Sequence, residues 1–144
     1  MDELDIGSLL PEFDSFLSSL DLFIRFCVMA GPLVVLGLGL YYLLSAPKEA
    51  NYSAGYRFRY GMAKVQSWQF MQFLAGVVYS ITGLVLTLVM AIVCVFLQRM
   101  DLMSMATGAI WMIGLEALII FAATMGINIT VMSRFDSEGN RREK

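Results

Sequence analysis

From Phe26 to Leu44 and again from Val65 to Gln98 the chain carries no charged residue. A third run, Ser104 to Val131, is interrupted only by Glu116. An α-helix needs roughly 20 consecutive apolar residues to cross the hydrocarbon core of a bilayer, so each run is long enough to span. Hydrocarbon offers no hydrogen-bond partners, so a spanning segment must satisfy its own backbone, and for separate runs of this length only the helix does so. The predicted fold class is therefore all-α, an integral membrane protein with three transmembrane helices and a short N-terminal amphipathic helix. A mean hydropathy of +0.70 over 144 residues fits one such unit and is too apolar for a soluble domain.

The chain divides by charge. Residues 1–22 form an acidic segment, with Asp2, Glu3, Asp5, Glu12, Asp14 and Asp21 but no Lys or Arg. A cleaved signal peptide begins with a positive region, so this start is of the wrong sign. Pro11 suits a first helical turn. Phe13, Phe16, Leu17 and Leu20 then recur at helical spacing, and 11–21 reads equally as a helix lying in the interface or as the start of the first span. The first transmembrane helix is predicted over 23–45, a basic aromatic loop over 46–69, the second helix over 70–98, the third over 104–132, and a polar tail over 133–144. Gly31-Pro32 should bend the first span. The loop holds Lys48, Arg57, Arg59 and Lys64, and the tail holds Arg134, Arg141, Arg142 and Lys144; the opposite side has Arg25 and Arg99. By the positive-inside bias, loop and tail are expected in the cytoplasm and the N-terminus outside, in the cell membrane.

Within the bilayer two features stand out. Gly76, Ser80, Gly83 and Thr87 form a narrow stripe of small residues on the second span, the pattern of close helix packing, and Gly37 and Gly39 offer the same on the first. Glu116 is the one acid deep in an apolar run. A charge there costs at least roughly 2.5–3.5 kcal/mol on insertion scales, so it needs a partner, water or a proton. Equal counting back from the turn near Asp101 places Glu116 opposite about Leu86, close to Thr87 and Gly83. It reads as a proton- or ligand-sensitive carboxyl, or, slightly better, as a neutral glutamic acid bonded to Thr87 or a backbone carbonyl.

The stretch Asn51–Trp68, NYSAGYRFRYGMAKVQSW, is the long polar segment between apolar runs. Arg57 and Arg59 alternate with Tyr56, Phe58 and Tyr60, a pattern suited to topological anchoring or to recognition of a carboxylate or a phosphate. Asn51 can bridge the turn into Gly55, and Trp68 is most simply an interface anchor. The spacing of Asn51, Gly55-Tyr56-Arg57, Met62 and Trp68 resembles the signature of the SdpI family, bacterial membrane proteins whose founding member confers immunity to a secreted peptide toxin. The resemblance covers about Phe23 to Arg134, the C-terminal three-helix portion of the larger members. Phe58-Arg59 stands where the family has Thr-Pro, Gly61 where it has Ser, and the acids usual before the Trp are absent. The resemblance implies immunity or signal transduction, with Asn51, Gly55, Tyr56, Arg57, Arg59 and Trp68 binding a toxic peptide or a protein partner.

Other functions are disfavoured by what the sequence lacks. It has no histidine, and Cys27 and Cys94 sit alone in apolar runs, where they pack as small hydrophobes. No nucleophile–base pair, phosphate-binding glycine loop, metal cluster or basic nucleic-acid patch is present, so no enzyme, cofactor, metal or nucleic-acid partner is expected. Three helices enclose no transport path unless copies associate, and a homo-oligomer stays open on that count. The alternative function is a small structural or accessory subunit of a larger membrane complex, with the Gly76–Ser80–Gly83 stripe turned toward another protein.

Overall fold

The computed structural model describes the backbone of residues 6–51 and 53–142, and the side chains there except 6–12 and 14. The acids at 2, 3, 5, 12 and 14, Tyr52 and Lys144 therefore lie outside what is described. The protein is all-α: α1 (Ile6–Leu44), the single turn α2 (Arg59–Met62), α3 (Val65–Leu97) and α4 (Leu102–Arg134). Three of these, Ser15–Leu44, Val65–Leu97 and Leu102–Arg134, are long and apolar enough to span, so the chain is a multi-pass membrane protein. Most of their leucine, isoleucine and phenylalanine side chains face outward, as hydrocarbon permits.

The expected interfacial helix over 11–21 is not a separate element. Helix α1 runs unbroken through it from Ile6, which puts Pro11 in the second turn rather than the first. Pro32 is likewise absorbed within continuous helix and fully buried. The second span also starts earlier than residue 70, because Lys64 caps α3: its N–H is accepted by Ser67 Oγ at 3.3 Å. At the other end Asp101 caps α4 by accepting the Ser104 N–H at 3.1 Å, and the hydrogen bonds from Ser104 lower the Asp101 carboxyl below its ordinary range.

Small residues set the helix order. A Cβ on Gly83 would fall 2.6 Å from the Leu36 Cα, one on Gly76 would fall 3.0 Å from the Leu43 N, and one on Gly39 would land on the Ser80 backbone. The stripe of α3 is thus filled by α1, in backbone-to-backbone contact that only small side chains permit. Gly37, by contrast, has nothing near it. Helix α4 leans more loosely on this pair. One core cluster near the 98–101 turn joins Val28, Met90, Leu97, Met105 and Ala109. The other, at the loop end, joins Val35, Trp68, Met71, Ala75, Tyr79, Ile127, Val131 and Phe135.

Candidate functional site

The loop is a built structure, and the motif residues build it. Trp68, in the first turn of α3, is fully buried, and its indole N–H donates to the Pro47 carbonyl at 2.7 Å. It pins the exit of α1 inside the protein, so the expectation of an interface anchor is replaced by an internal one. Asn51 Oδ1 accepts the backbone N–H of Ser53 at 3.0 Å and of Ala54 at 2.8 Å. This side-chain-closed turn feeds Gly55, whose φ of +98° is disfavoured for any residue with a Cβ. A Cβ there would also lie 2.8 Å from Trp68 Cζ2 and 3.0 Å from Gln72 Oε1.

Gln72, in the second turn of α3, holds the next residue at both ends. Its Oε1 accepts the Tyr56 N–H at 2.8 Å and its Nε2 donates to the Tyr56 carbonyl at 2.7 Å. The Tyr56 ring then enters the bundle edge-on to Tyr42 (centroids 6.1 Å apart) and Tyr79 (5.9 Å), and its hydroxyl donates to Asn128 Oδ1 at 2.7 Å. Tyr79 meets Thr124 of α4 at 2.8 Å between hydroxyl oxygens. The loop is thereby tied to all three spans through one residue. Burial pushes the Tyr56 phenol well above its ordinary range, with Tyr79 adding to the effect, so the hydroxyl stays a proton donor. Gln72, Tyr79 and Asn128 were not picked out from sequence. Their signal was present: uncapped amides and hydroxyls inside apolar runs require partners.

Asn51, Gly55, Tyr56 and Trp68 are thus turned inward or engaged with the chain itself, and what they present to solvent is Arg57 and Arg59. Both arginines are exposed, and with Phe58, Met62 and Ala63 they line an open groove of about 480 Å³. Arg57 Nη2 donates to the Ser53 carbonyl at 3.2 Å, a contact that leaves most of the guanidinium donors free for a ligand. Phe58 stacks on Tyr60 with centroids 5.6 Å apart. Gly61 packs directly on Met71, where a Cβ would collide with the sulfur.

The tail is also folded. Phe135 pairs with Arg141 in an isolated antiparallel bridge, and the turn between is closed by the Asp136 N–H donating to the Asn140 carbonyl at 3.0 Å. Donation from the Asn140 backbone N–H lowers the Asp136 carboxyl below its ordinary range. Gly139, at φ +76°, packs 3.0 Å from the Lys64 N and Ser67 Oγ if given a Cβ, and Lys64 Nζ donates to Asn140 Oδ1. Loop and tail therefore share one end of the bundle and touch.

Glu116 and Thr87 are not brought together. The Thr87 hydroxyl donates to the Gly83 carbonyl of its own helix at 2.7 Å. Glu116 is buried and points at α1, where a Cβ on Gly31 would lie 2.9 Å from Oε2. Among the described residues its Oε1 has no hydrogen-bond partner. Counting from the turn gives Glu116 nearly the right depth, since Gly83 faces Leu36 and Cys94 faces Arg25, which puts Gly31 level with about Leu88; the side chain turns to α1 instead of Thr87. Among the described residues no group of acids and cysteines could hold a metal ion. No family model, curated protein or solved structure matches the chain.

Proposed function

We propose that this is an SdpI-like membrane immunity or sensor protein, which binds a toxic peptide or a protein partner at the loop end of the bundle. The observation that supports it is the division of labour within the motif: Asn51, Gly55, Tyr56 and Trp68 fix a loop whose exposed products are the Arg57 and Arg59 guanidiniums beside a groove. Ordering costs are met before a ligand arrives, which favours binding by a preorganised site. A peptide carboxylate or acidic side chain suits two planar forks of donors. The accessory-subunit alternative would need a different surface from the one that suggested it, since Gly76, Ser80 and Gly83 are filled by α1.

Loop and tail belong in the cytoplasm on this reading, with the N-terminus outside. In intact cells carrying a variant with Cys27 and Cys94 replaced by serine, cysteines introduced at Ser53 and Ser137 should resist an impermeant thiol reagent until the membrane is opened. Labelling of both before opening would invert the topology and move the groove to the outer face. The partner should be recovered with the intact protein from mildly solubilised membranes, and recovery should fall at least about tenfold in Arg57→Lys, as loss of a charge-assisted bidentate contact implies. Equal recovery by both proteins would remove Arg57 from the binding site.

A further inference from the structure

We propose that the cleft between the end of α4, the first turns of α3 and the tail hairpin binds the phosphate headgroup of an anionic membrane lipid through Arg134, Arg141 and Gln66. The cleft holds about 170 Å³ and is lined by Gln66, Phe70, Arg134, Phe135 and Arg141. That volume suits a phosphate with its ester oxygens and is too small for a folded partner. It shares no lining residue with the Arg57–Arg59 groove.

Two guanidiniums are brought together there by the fold. The Phe135–Arg141 bridge and the Arg142 N–H donating to the Arg134 carbonyl at 2.9 Å turn the chain back, so that residues seven apart in sequence face one cleft. Arg134 is held over the Phe70 ring at 5.0 Å, and Phe70 in turn packs on Phe135 with centroids 5.5 Å apart. Stacking fixes the plane of the guanidinium and leaves its edge donors available. Among the described residues neither arginine has a carboxylate within ion-pair distance; the one such pair is Arg25 with Asp21, near the other end of the bundle. Like charges assembled without a counter-charge among the described residues favour an anion. Gln66 adds an amide, which can donate to a phosphate oxygen.

Depth selects the source of that anion. Helix α4 has 33 residues, about 50 Å at 1.5 Å per residue, against roughly 40–45 Å for a bilayer with its headgroups. With the helix centred on the bilayer, Arg134, its last residue, falls at the outer edge of the headgroup layer, within side-chain reach of the lipid phosphates. Basic residues at this level attract anionic lipids, and here a shaped cleft is added to the general attraction.

The test uses the full chain in nanodiscs of phosphatidylcholine, with or without phosphatidylglycerol, and reads both the thermal midpoint and the lipids retained in native mass spectrometry. Phosphatidylglycerol should raise the midpoint of the wild type and of the Arg57→Gln/Arg59→Gln variant. The Arg134→Gln/Arg141→Gln variant, of equal net charge, should lose more than half of that rise and most of the retained phosphatidylglycerol. Arg141→Gln alone leaves the Arg134–Phe70 contact in place and should show the same loss of retained lipid, which separates lipid binding from a folding defect. Inorganic phosphate added to phosphatidylcholine nanodiscs should not reproduce the rise. Equal losses in the two double variants would reduce the effect to diffuse charge, and a full rise with inorganic phosphate would make the cleft a free-anion site; either result overturns the proposal. Loss here with intact partner recovery at Arg57 leaves the proposed function standing.

Discussion

Replacing Gly83 with leucine should lower the thermal midpoint of the detergent-solubilised protein by roughly 10 °C or more. The Gly83 position faces the Leu36 backbone, so even a Cβ would fall 2.6 Å from a Cα. Backbone cannot step aside as a side chain can, and α1 and α3 would have to separate along their shared stripe. Forcing added carbons into a packed core costs about 1–3 kcal/mol where side chains can repack, and more where they cannot; each kcal/mol moves the midpoint of a chain this size by several degrees. The control is Gly114→Leu on α4, where nothing lies within contact distance of an added Cβ. It should leave the midpoint within a degree or two. Equal midpoints for the two variants would mean that α1 and α3 are not in backbone contact.

Gly55→Ala should detach the loop while sparing the bundle. The residue holds φ +98°, where a side chain costs about 1–2 kcal/mol, and its Cβ would press on Trp68 and on the Gln72 oxygen that holds Tyr56. Losing the Gln72 clamp frees the Tyr56 backbone, and the Tyr56–Asn128 bond goes with it. The expected signature is faster hydrogen exchange at Ser53 to Tyr56, loss of partner recovery, and a midpoint lowered by only a few degrees, since the α1–α3 contact lies elsewhere. Unchanged exchange across Ser53–Tyr56 would show that the clamp does not hold the loop.

The three spans were legible because hydrocarbon demands long uncharged runs, and the stripe Gly76–Ser80–Gly83 was legible because close backbone approach demands small residues. Which helix the stripe meets was not. The pattern left open another helix or another protein, and α1 answers the stripe with its own small residue, Gly39, and takes it. Of the two equal readings of 11–21, an interfacial helix or the start of the first span, the second matches the continuous α1: no glycine or turn residue separates the stretch from the span, so helix propagates through. In the loop, the residues were found and their roles were not. Tyr and Trp near a membrane boundary read as belt residues by frequency, yet Trp68 finds the Pro47 carbonyl and Tyr56 finds Asn128, contacts 21 and 72 residues apart in sequence. The folded tail left almost no periodic signal. Its hairpin depends on Gly139, Asp136 and Asn140, which read from sequence as ordinary polar tail.

Under the proposed function, the loop carries the activity and the membrane carboxyl does not. Glu116 lies twelve residues from Asn128 on α4, about 18 Å along the helix from the residue that receives the Tyr56 hydroxyl, and its side chain points at Gly31 of α1. Arg57→Lys keeps the positive charge that orients the chain and removes the planar fork. Glu116→Gln keeps shape and hydrogen-bonding capacity and removes the ability to ionise. The deciding measurement is survival of cells expressing each variant, at matched membrane abundance, under a peptide toxin against which the wild type protects. Protection should be lost in Arg57→Lys and kept in Glu116→Gln. Protection kept in Arg57→Lys and lost in Glu116→Gln would contradict the claim and move the working site from the loop into the membrane.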